Sequence, residues 1–288
     1  KNVLKLLCMK QKNIDKKHKL VCMPEDLNED IYHTRVLDIK LNYKKIYKKP
    51  NAFTRAFKYI AQKCIALPLL YLYDKIYLGV KVKGKKNLKG LKGGAITISN
   101  HVHYVDWSVC PVFLSKQKSV VVVTLKDNFK IPTVRHLCKL YGCLPLAETP
   151  SDWVLFYKCI KRSLDEGKIV HLFPEASLWP YYNKLRPFKR GSFYFAVKYN
   201  VPIIPYLITF RKPKGIEKLV RRAPRLNIIV GEPLYANASL DSKQQIEDLS
   251  QRAEQAMQQM LDENPSYEYY RYVSEEEFNN LTNKNKTK

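Results

Sequence analysis

Ala95-Ile96-Thr97-Ile98-Ser99-Asn100-His101-Val102-His103-Tyr104-Val105-Asp106-Trp107 follows Gly93-Gly94 and sets the reading of the chain around it. Ala95, Ile96 and Ile98 make a short buried strand, Ser99-Asn100 breaks it, and a helical pattern begins near Asp106. His101 therefore sits on a strand-to-helix loop, with Asp106 in the first turn beyond it. An imidazole held by a carboxylate suits general-base work, because the carboxylate fixes the ring's tautomer and stabilises the imidazolium that forms.

Outward from this stretch, runs of two kinds alternate. Val80–Gly84, Ser119–Leu125, Cys143–Leu146, Lys168–Phe173, Ile203–Phe210 and Arg225–Gly231 read as strands. Val120-Val121-Val122-Val123 has the β-branched continuity of a strand buried on both faces. Between them Trp107–Leu114, Pro132–Tyr141, Asp152–Glu166 and Ser192–Tyr199 read as helices, with Gly142 as a C-cap, and Gln244–Leu261 as a last polar helix. The alternation predicts an α/β fold: a mostly parallel central sheet flanked by helices. His171, inside an apolar strand, reads as a core histidine.

Four segments are expected: a basic arm over 1–50, a helical segment over 51–79, the α/β domain over 80–265 and a fraying polar tail over 266–288. The arm holds a short apolar patch near Val3–Met9 without a cleavage site, a helix start at Met23–Leu27, and apolar residues among lysines over Asp38–Lys49. Over 51–79, Phe53, Phe57, Ile60, Ala61, Cys64 and Ile65 recur at helical spacing, and Pro68 kinks or splits the apolar run around it. Lysines and tyrosines accompany the apolar face, so the segment either lies in a membrane interface or packs on the core. No run approaches the roughly 18 consecutive apolar residues of a spanning helix.

With 51 Lys+Arg against 26 Asp+Glu, the net charge of +25 seeks polyanions: nucleic acid, an anionic bilayer or phosphorylated substrates. No readable nucleic-acid module accompanies the charge, so no nucleic acid is expected. No Gly-x-Gly-x-x-Gly or Gly-x-x-x-x-Gly-Lys-Ser/Thr loop supports nucleotide binding. Seven scattered cysteines, mostly in apolar runs, point to reduced thiols in the cytoplasm. Cys138 and Cys143 lack the partners of a tetrahedral set, so neither metal nor cofactor is expected.

Three later blocks follow the Asn-His-x-x-x-x-Asp stretch in order: Phe173-Pro174-Glu175-Ala176-Ser177, Pro187-Phe188-Lys189-Arg190-Gly191 and Val201-Pro202-Ile203-Ile204-Pro205. In this register, from about Val80 to about Pro233, the chain resembles the glycerolipid acyltransferase family, typified by lysophosphatidate (1-acylglycerol-3-phosphate) acyltransferases. The resemblance implies acyl transfer from acyl-CoA or acyl carrier protein to a hydroxyl of a lipid acceptor, at the cytoplasmic face of the cell membrane. It makes His101 the general base and Asp106 its orienting partner. It places Glu175, Lys189 and Gly142 at the substrate, with Arg186 and Arg190 as further candidates beside them, and sets Val201, Pro202, Ile203, Ile204 and Pro205 as the lining of an acyl tunnel. Taken singly, Lys189 and Arg190 equally suit a solvated helix start, and Val201–Pro205 an ordinary core strand.

Two blocks depart from the family pattern. Glu175 is followed by Ala176-Ser177-Leu178 where Gly-Thr-Arg is usual, and Ala147-Glu148 stands where a basic residue is expected. Arg186, Lys189 or Arg190 would then supply the missing charge. A glycolipid or other non-phosphate acceptor is the alternative, suggested by the aromatic insert Trp179-Pro180-Tyr181-Tyr182.

Overall fold

The computed structural model describes residues 7–8, 11–13, 19–26, 32–33, 40–115 and 118–283. Most of the N-terminal apolar patch, Leu27, and Asp38 with Ile39 lie outside the described residues.

Seven strands form the central sheet: β1 (Lys81–Lys83), β2 (Ala95–Ser99), β3 (Val120–Thr124), β4 (Leu144–Pro145), β5 (Ile169–Leu172), β6 (Ile203–Arg211) and β7 (Arg225–Val230). Their order is β1-β7-β6-β2-β5-β3-β4. β4, β3, β5, β2 and β6 run parallel, β7 returns antiparallel to β6, and β1 runs parallel to β7. The register Ile203↔Ile96 and Tyr206↔Ser99 aligns the starts of β6 and β2, so both strands deliver their following loops to one sheet edge. That common edge is where an open α/β sheet places its site.

Alternate residues of β6 feed two cores. Ile203 and Leu207 pack with Phe156, Phe193, Leu249 and Met257 from the helices Pro150–Asp165, Gly191–Tyr199 and Ser242–Glu263. Ile204, Tyr206 and Ile208 point the other way, toward Leu78, Val109, Leu114 and Trp179. All five residues of β2 are buried. Gly94 enters that strand against the backbone of Leu164, where a Cβ would collide with the carbonyl.

Two helical expectations change in form. Trp107–Leu114 is not one α-helix but a tight turn over Asp106–Ser108 followed by wide i→i+5 turns over Cys110–Leu114, closed by Ser115 N–H on the Cys110 carbonyl at 2.9 Å. Pro111 has no N–H to continue the tighter ladder. Residues 52–77 stay helical throughout, with wide turns over Ala61–Ala66 and Tyr73–Tyr77, and Asn51 as N-cap. Pro68 falls in the first turn of Leu67–Leu72, just past the first wide turns, and breaks nothing.

The tail does not fray over the residues described. Tyr270–Val273 pairs in parallel with Lys19–Cys22, and Glu275–Asn283 is helical. Leu20, Cys22, Val273 and Phe278 bury one another, which gives two polar-looking ends a shared apolar cluster. Among the described residues no helix is long and apolar enough to cross a membrane.

Candidate active site

His101 leaves β2 two residues after Ser99 and keeps about a fifth of its side chain exposed. Its Nδ1 meets Asp106 Oδ2 at 2.8 Å. The same oxygen accepts the backbone N–H groups of Val102 (2.9 Å) and His103 (3.0 Å), and Asp106 is fully buried. A carboxylate oxygen collecting donors this way makes Nδ1 the protonated nitrogen, so the Nε2 lone pair is the one available for a proton. The ring lies flat on Phe173, centroids 4.0 Å apart, at the end of β5.

The loop after β5 grips the His101 loop from behind. Glu175 Oε2 accepts His101 N–H at 3.1 Å; the His101 carbonyl accepts Trp179 N–H at 3.0 Å and that of Val102 accepts Tyr181 N–H at 2.8 Å. Glu175 Oε2 also accepts from the Arg186 guanidinium at 2.8 Å, and Oε1 from Arg186 N–H at 3.1 Å. Arg186 donates further to the Ser177 hydroxyl and carbonyl and lies over the Trp179 ring at 4.9 Å.

These contacts correct two assignments to substrate binding. Glu175 and Arg186 are both buried and spent on each other and on loop backbone, so they position His101 rather than reach for a ligand. Arg186 therefore does not stand in for the missing arginine of the third block. Gly142 is exposed, with φ 70°, and caps the helix Pro132–Tyr141 through its N–H on the Cys138 carbonyl. Its left-handed backbone accounts for the glycine without a ligand.

Lys189 and Arg190 do face solvent, at the start of Gly191–Tyr199, with Lys189 N–H on the Pro174 carbonyl at 2.8 Å. Arg190 pairs with Glu247 and lines an apolar cavity of about 430 Å³ together with Trp153, Tyr157, Leu172, Tyr194 and Ile246. Leu172 belongs to the helix-covered face of β5, whereas Phe173, the next residue, carries the His101 ring, so the cavity lies across the sheet from the His101–Asp106 pair.

The tunnel assignment is also corrected. Pro202, Ile203, Ile204 and Pro205 are buried in or just before the central strand β6, and the half-buried Val201 lies at the sheet edge opposite His101. Ile203 is further locked by a bridge to Leu234. A β-branched run reads alike in a tunnel wall and a core strand, and here it is core. The aromatic insert is equally occupied: Trp179 stacks on Tyr272 at 5.5 Å, and Tyr181 packs on Phe210, Tyr269 and Tyr270. Trp179 and Tyr181 are thus buried in packing, and only Tyr182 of the insert's aromatic rings stays partly exposed, which weakens the insert's support for a glycolipid acceptor.

Phe173 and the polar chain behind it escaped the sequence reading. His171 is a core histidine, as expected; its Nδ1 meets Thr97 Oγ1 and its Nε2 the Tyr206 hydroxyl, each at 3.1 Å. Burial holds both His171 and His103 down to about 4, hence neutral. The adjacency of Phe173 to Pro174-Glu175 was visible, but nothing in the spacing said its ring would floor the histidine.

Residues 79–209 match the acyltransferase family model. A chloroplastic 1-acyl-sn-glycerol-3-phosphate acyltransferase of Brassica napus is 26% identical over 192 residues, 64% of this chain and 52% of that protein. One from Arabidopsis thaliana is likewise 26% identical, over 51% of its length. The chain thus spans about half the length of the curated relatives it matches. The crystal structure of the 1-acyl-sn-glycerophosphate acyltransferase PlsC from Thermotoga maritima shares the fold, with TM-score 0.51, 19% identity, and coverage of 77% of this chain and 86% of that one. What this chain is similar to, through residues 79–209, is the acyltransferase family.

Proposed function

We propose that this protein moves a fatty acyl group from an acyl thioester, acyl-CoA or acyl carrier protein, to the free hydroxyl of a lysophospholipid, 1-acylglycerol-3-phosphate first, in phospholipid biosynthesis. The observation that carries the reading is the His101–Asp106 pair at 2.8 Å on a loop gripped from behind, with Nε2 left available. The acceptor oxygen attacks the thioester carbonyl carbon while its proton passes to Nε2. The tetrahedral intermediate collapses, the C–S bond breaks, and the departing sulfur takes the proton back from the imidazolium. A positioned base of this kind is worth about 10²–10⁴-fold.

Lys189 and Arg190, beside Pro174, suit the acceptor's phosphate, and the cavity walled by Trp153, Tyr157 and Leu172 suits a fatty chain. Acyl transfer measured across lysophosphatidate, other lysophospholipids and glycolipid acceptors tests the reading. Lysophosphatidate is expected to be acylated fastest, with Lys189→Ala/Arg190→Ala raising its KM; a glycolipid acylated faster than any lysophospholipid overturns it.

The helical run 52–77 is read as lying in the interface of an anionic membrane, peripherally and on the cytoplasmic face. Phe53, Phe57, Ile60, Ile65, Leu69 and Ile76 are more than half exposed along it, flanked by lysines. The free thiols of Cys22, Cys64, Cys110, Cys138, Cys143 and Cys159 suit that compartment. Co-flotation with phosphatidylglycerol vesicles, expected to be lost in Phe57→Glu, tests the attachment. Protease protection in sealed membranes tests the side.

A further inference from the structure

The loop between β6 and β7 carries apolar side chains that the acyl-transfer chemistry does not use. Ile216 is 79% and Leu219 is 87% exposed, and Val220 beside them is also exposed. Side chains of this size left bare together on a short helical turn, Glu217–Val220, mark a contact surface rather than scattered surface hydrophobics. Exposed Lys212, Lys214, Lys218 and Arg222 surround them. The segment's single acid, Glu217, is neutralised by a two-pronged pair with Arg211, both bonds 2.7 Å.

Its placement is as telling as its composition. The loop follows the C-terminal end of β6, the sheet edge that also carries His101. It is tied to the end of the 52–77 helical run by one buried arginine: Arg225 donates to the carbonyls of Ile76 and Tyr77 and, with its other nitrogen, to that of Glu217. Arg221 lies over the Tyr77 ring at 4.8 Å and donates to the Tyr181 hydroxyl at 2.8 Å. The apolar tip of the loop is thus a continuation of the exposed face formed by Ile76 and Tyr77.

We propose that residues 212–222 form a second membrane anchor, with Ile216, Leu219 and Val220 entering the acyl-chain boundary of an anionic bilayer and the surrounding cations holding its headgroups. The proposal rests on the reading of 52–77 as interfacial and extends it to a part of the chain distant in sequence. Charge complementarity and continuity with that face identify the occupant: apolar tip, basic collar, no free acid in the segment. Two anchors on either side of the β6–β7 edge hold the His101 edge against the lipid surface, where a lysophospholipid presents its hydroxyl.

Leu219→Trp and Phe57→Trp, each compared with the unsubstituted chain, report insertion through quenching by brominated phosphatidylcholine in phosphatidylglycerol vesicles. Quenching of both is expected, and Ile216→Glu/Leu219→Glu is expected to weaken vesicle binding at least about tenfold with unchanged thermal stability. Quenching at position 57 alone overturns the second anchor and leaves the first standing. Quenching at 219 alone supports the loop and removes the helical reading; quenching at neither overturns both. A blue shift of the 219 emission that grows with protein concentration without vesicles assigns the patch to a second copy of the chain and also overturns the proposal.

Discussion

His101 owes part of its position to groups that do not touch its ring: the Glu175 carboxylate holds its backbone N–H, and Arg186 keeps Glu175 in place. Removing one member of a buried pair leaves a lone charge and costs about 3–5 kcal/mol. Arg186→Met is therefore expected to lower the unfolding free energy by about that amount, and Glu175→Gln/Arg186→Met to recover a large part of it. Denaturant melts decide this, and a double variant no better than the single one argues against the pairing. Ala176 holds φ 67°, in the left-handed region that favours glycine. The left-handed backbone costs a Cβ-bearing residue about 1–2 kcal/mol, offset in part by the roughly 0.5–1 kcal/mol of extra chain entropy that glycine loses on folding. Ala176→Gly is expected to raise the melting temperature slightly, and a fall would mean the strain is absent. The sequence named Glu175 and Arg186 as site residues because charge beside a motif is legible. It could not say that they face inward, since burial depends on Trp179 and Ser177 closing over them.

At the scale of elements, the 52–77 run meets the Asp106–Ser108 turn through Asp74. This carboxyl is buried and receives the Ser108 hydroxyl at 2.8 Å, two residues beyond Asp106. Burial pushes Asp74 up to about 7 from 3.8, with the Ser108 hydrogen bond opposing. A carboxyl raised on folding favours the native state fully below its unfolded value and loses that contribution as pH climbs from about 4 through about 7. Asp74→Asn, which cannot ionise, is expected to gain stability over the parent as pH rises across that window, by up to about 4 kcal/mol at pH 8. Melting curves from acid to mild alkali test it; a gap independent of pH refutes it. Across the sheet, Ile246→Trp narrows the cavity beside Leu172 and is expected to shorten the preferred acyl chain. Unchanged chain-length preference takes the cavity out of the acyl path. Strands were legible because β2, β3 and β5 are short, mostly apolar and β-branched runs bounded by polar or turn residues. The wide turns of Cys110–Leu114 were not, because periodicity does not distinguish an i→i+4 ladder from an i→i+5 one.

Over the whole molecule, the His101 loop and the exposed apolar faces proposed to meet lipid gather at one end. β2 and β6 end at the same edge, the 52–77 run arrives there ahead of β1, and Arg225 fastens the β6–β7 loop beside it. On the proposed membrane reading, the net charge of +25 acts as a long-range attraction toward anionic lipid rather than a stabiliser of the fold. The α/β plan was legible from the alternation of strands and helices. The pairing of Lys19–Cys22 with Tyr270–Val273 was not, because no local pattern announces a partner about 250 residues away along the chain. It is this pairing that seats Tyr272 on Trp179, behind the loop that grips His101. The most direct trial is thiol release from acyl-CoA on adding lysophosphatidate at anionic vesicles, with the parent and His101→Ala side by side. Release that requires the acceptor and falls by at least about 100-fold in the folded variant is expected. Undiminished release from His101→Ala, or equal release without any acceptor, would show that this imidazole is not the base for acyl transfer.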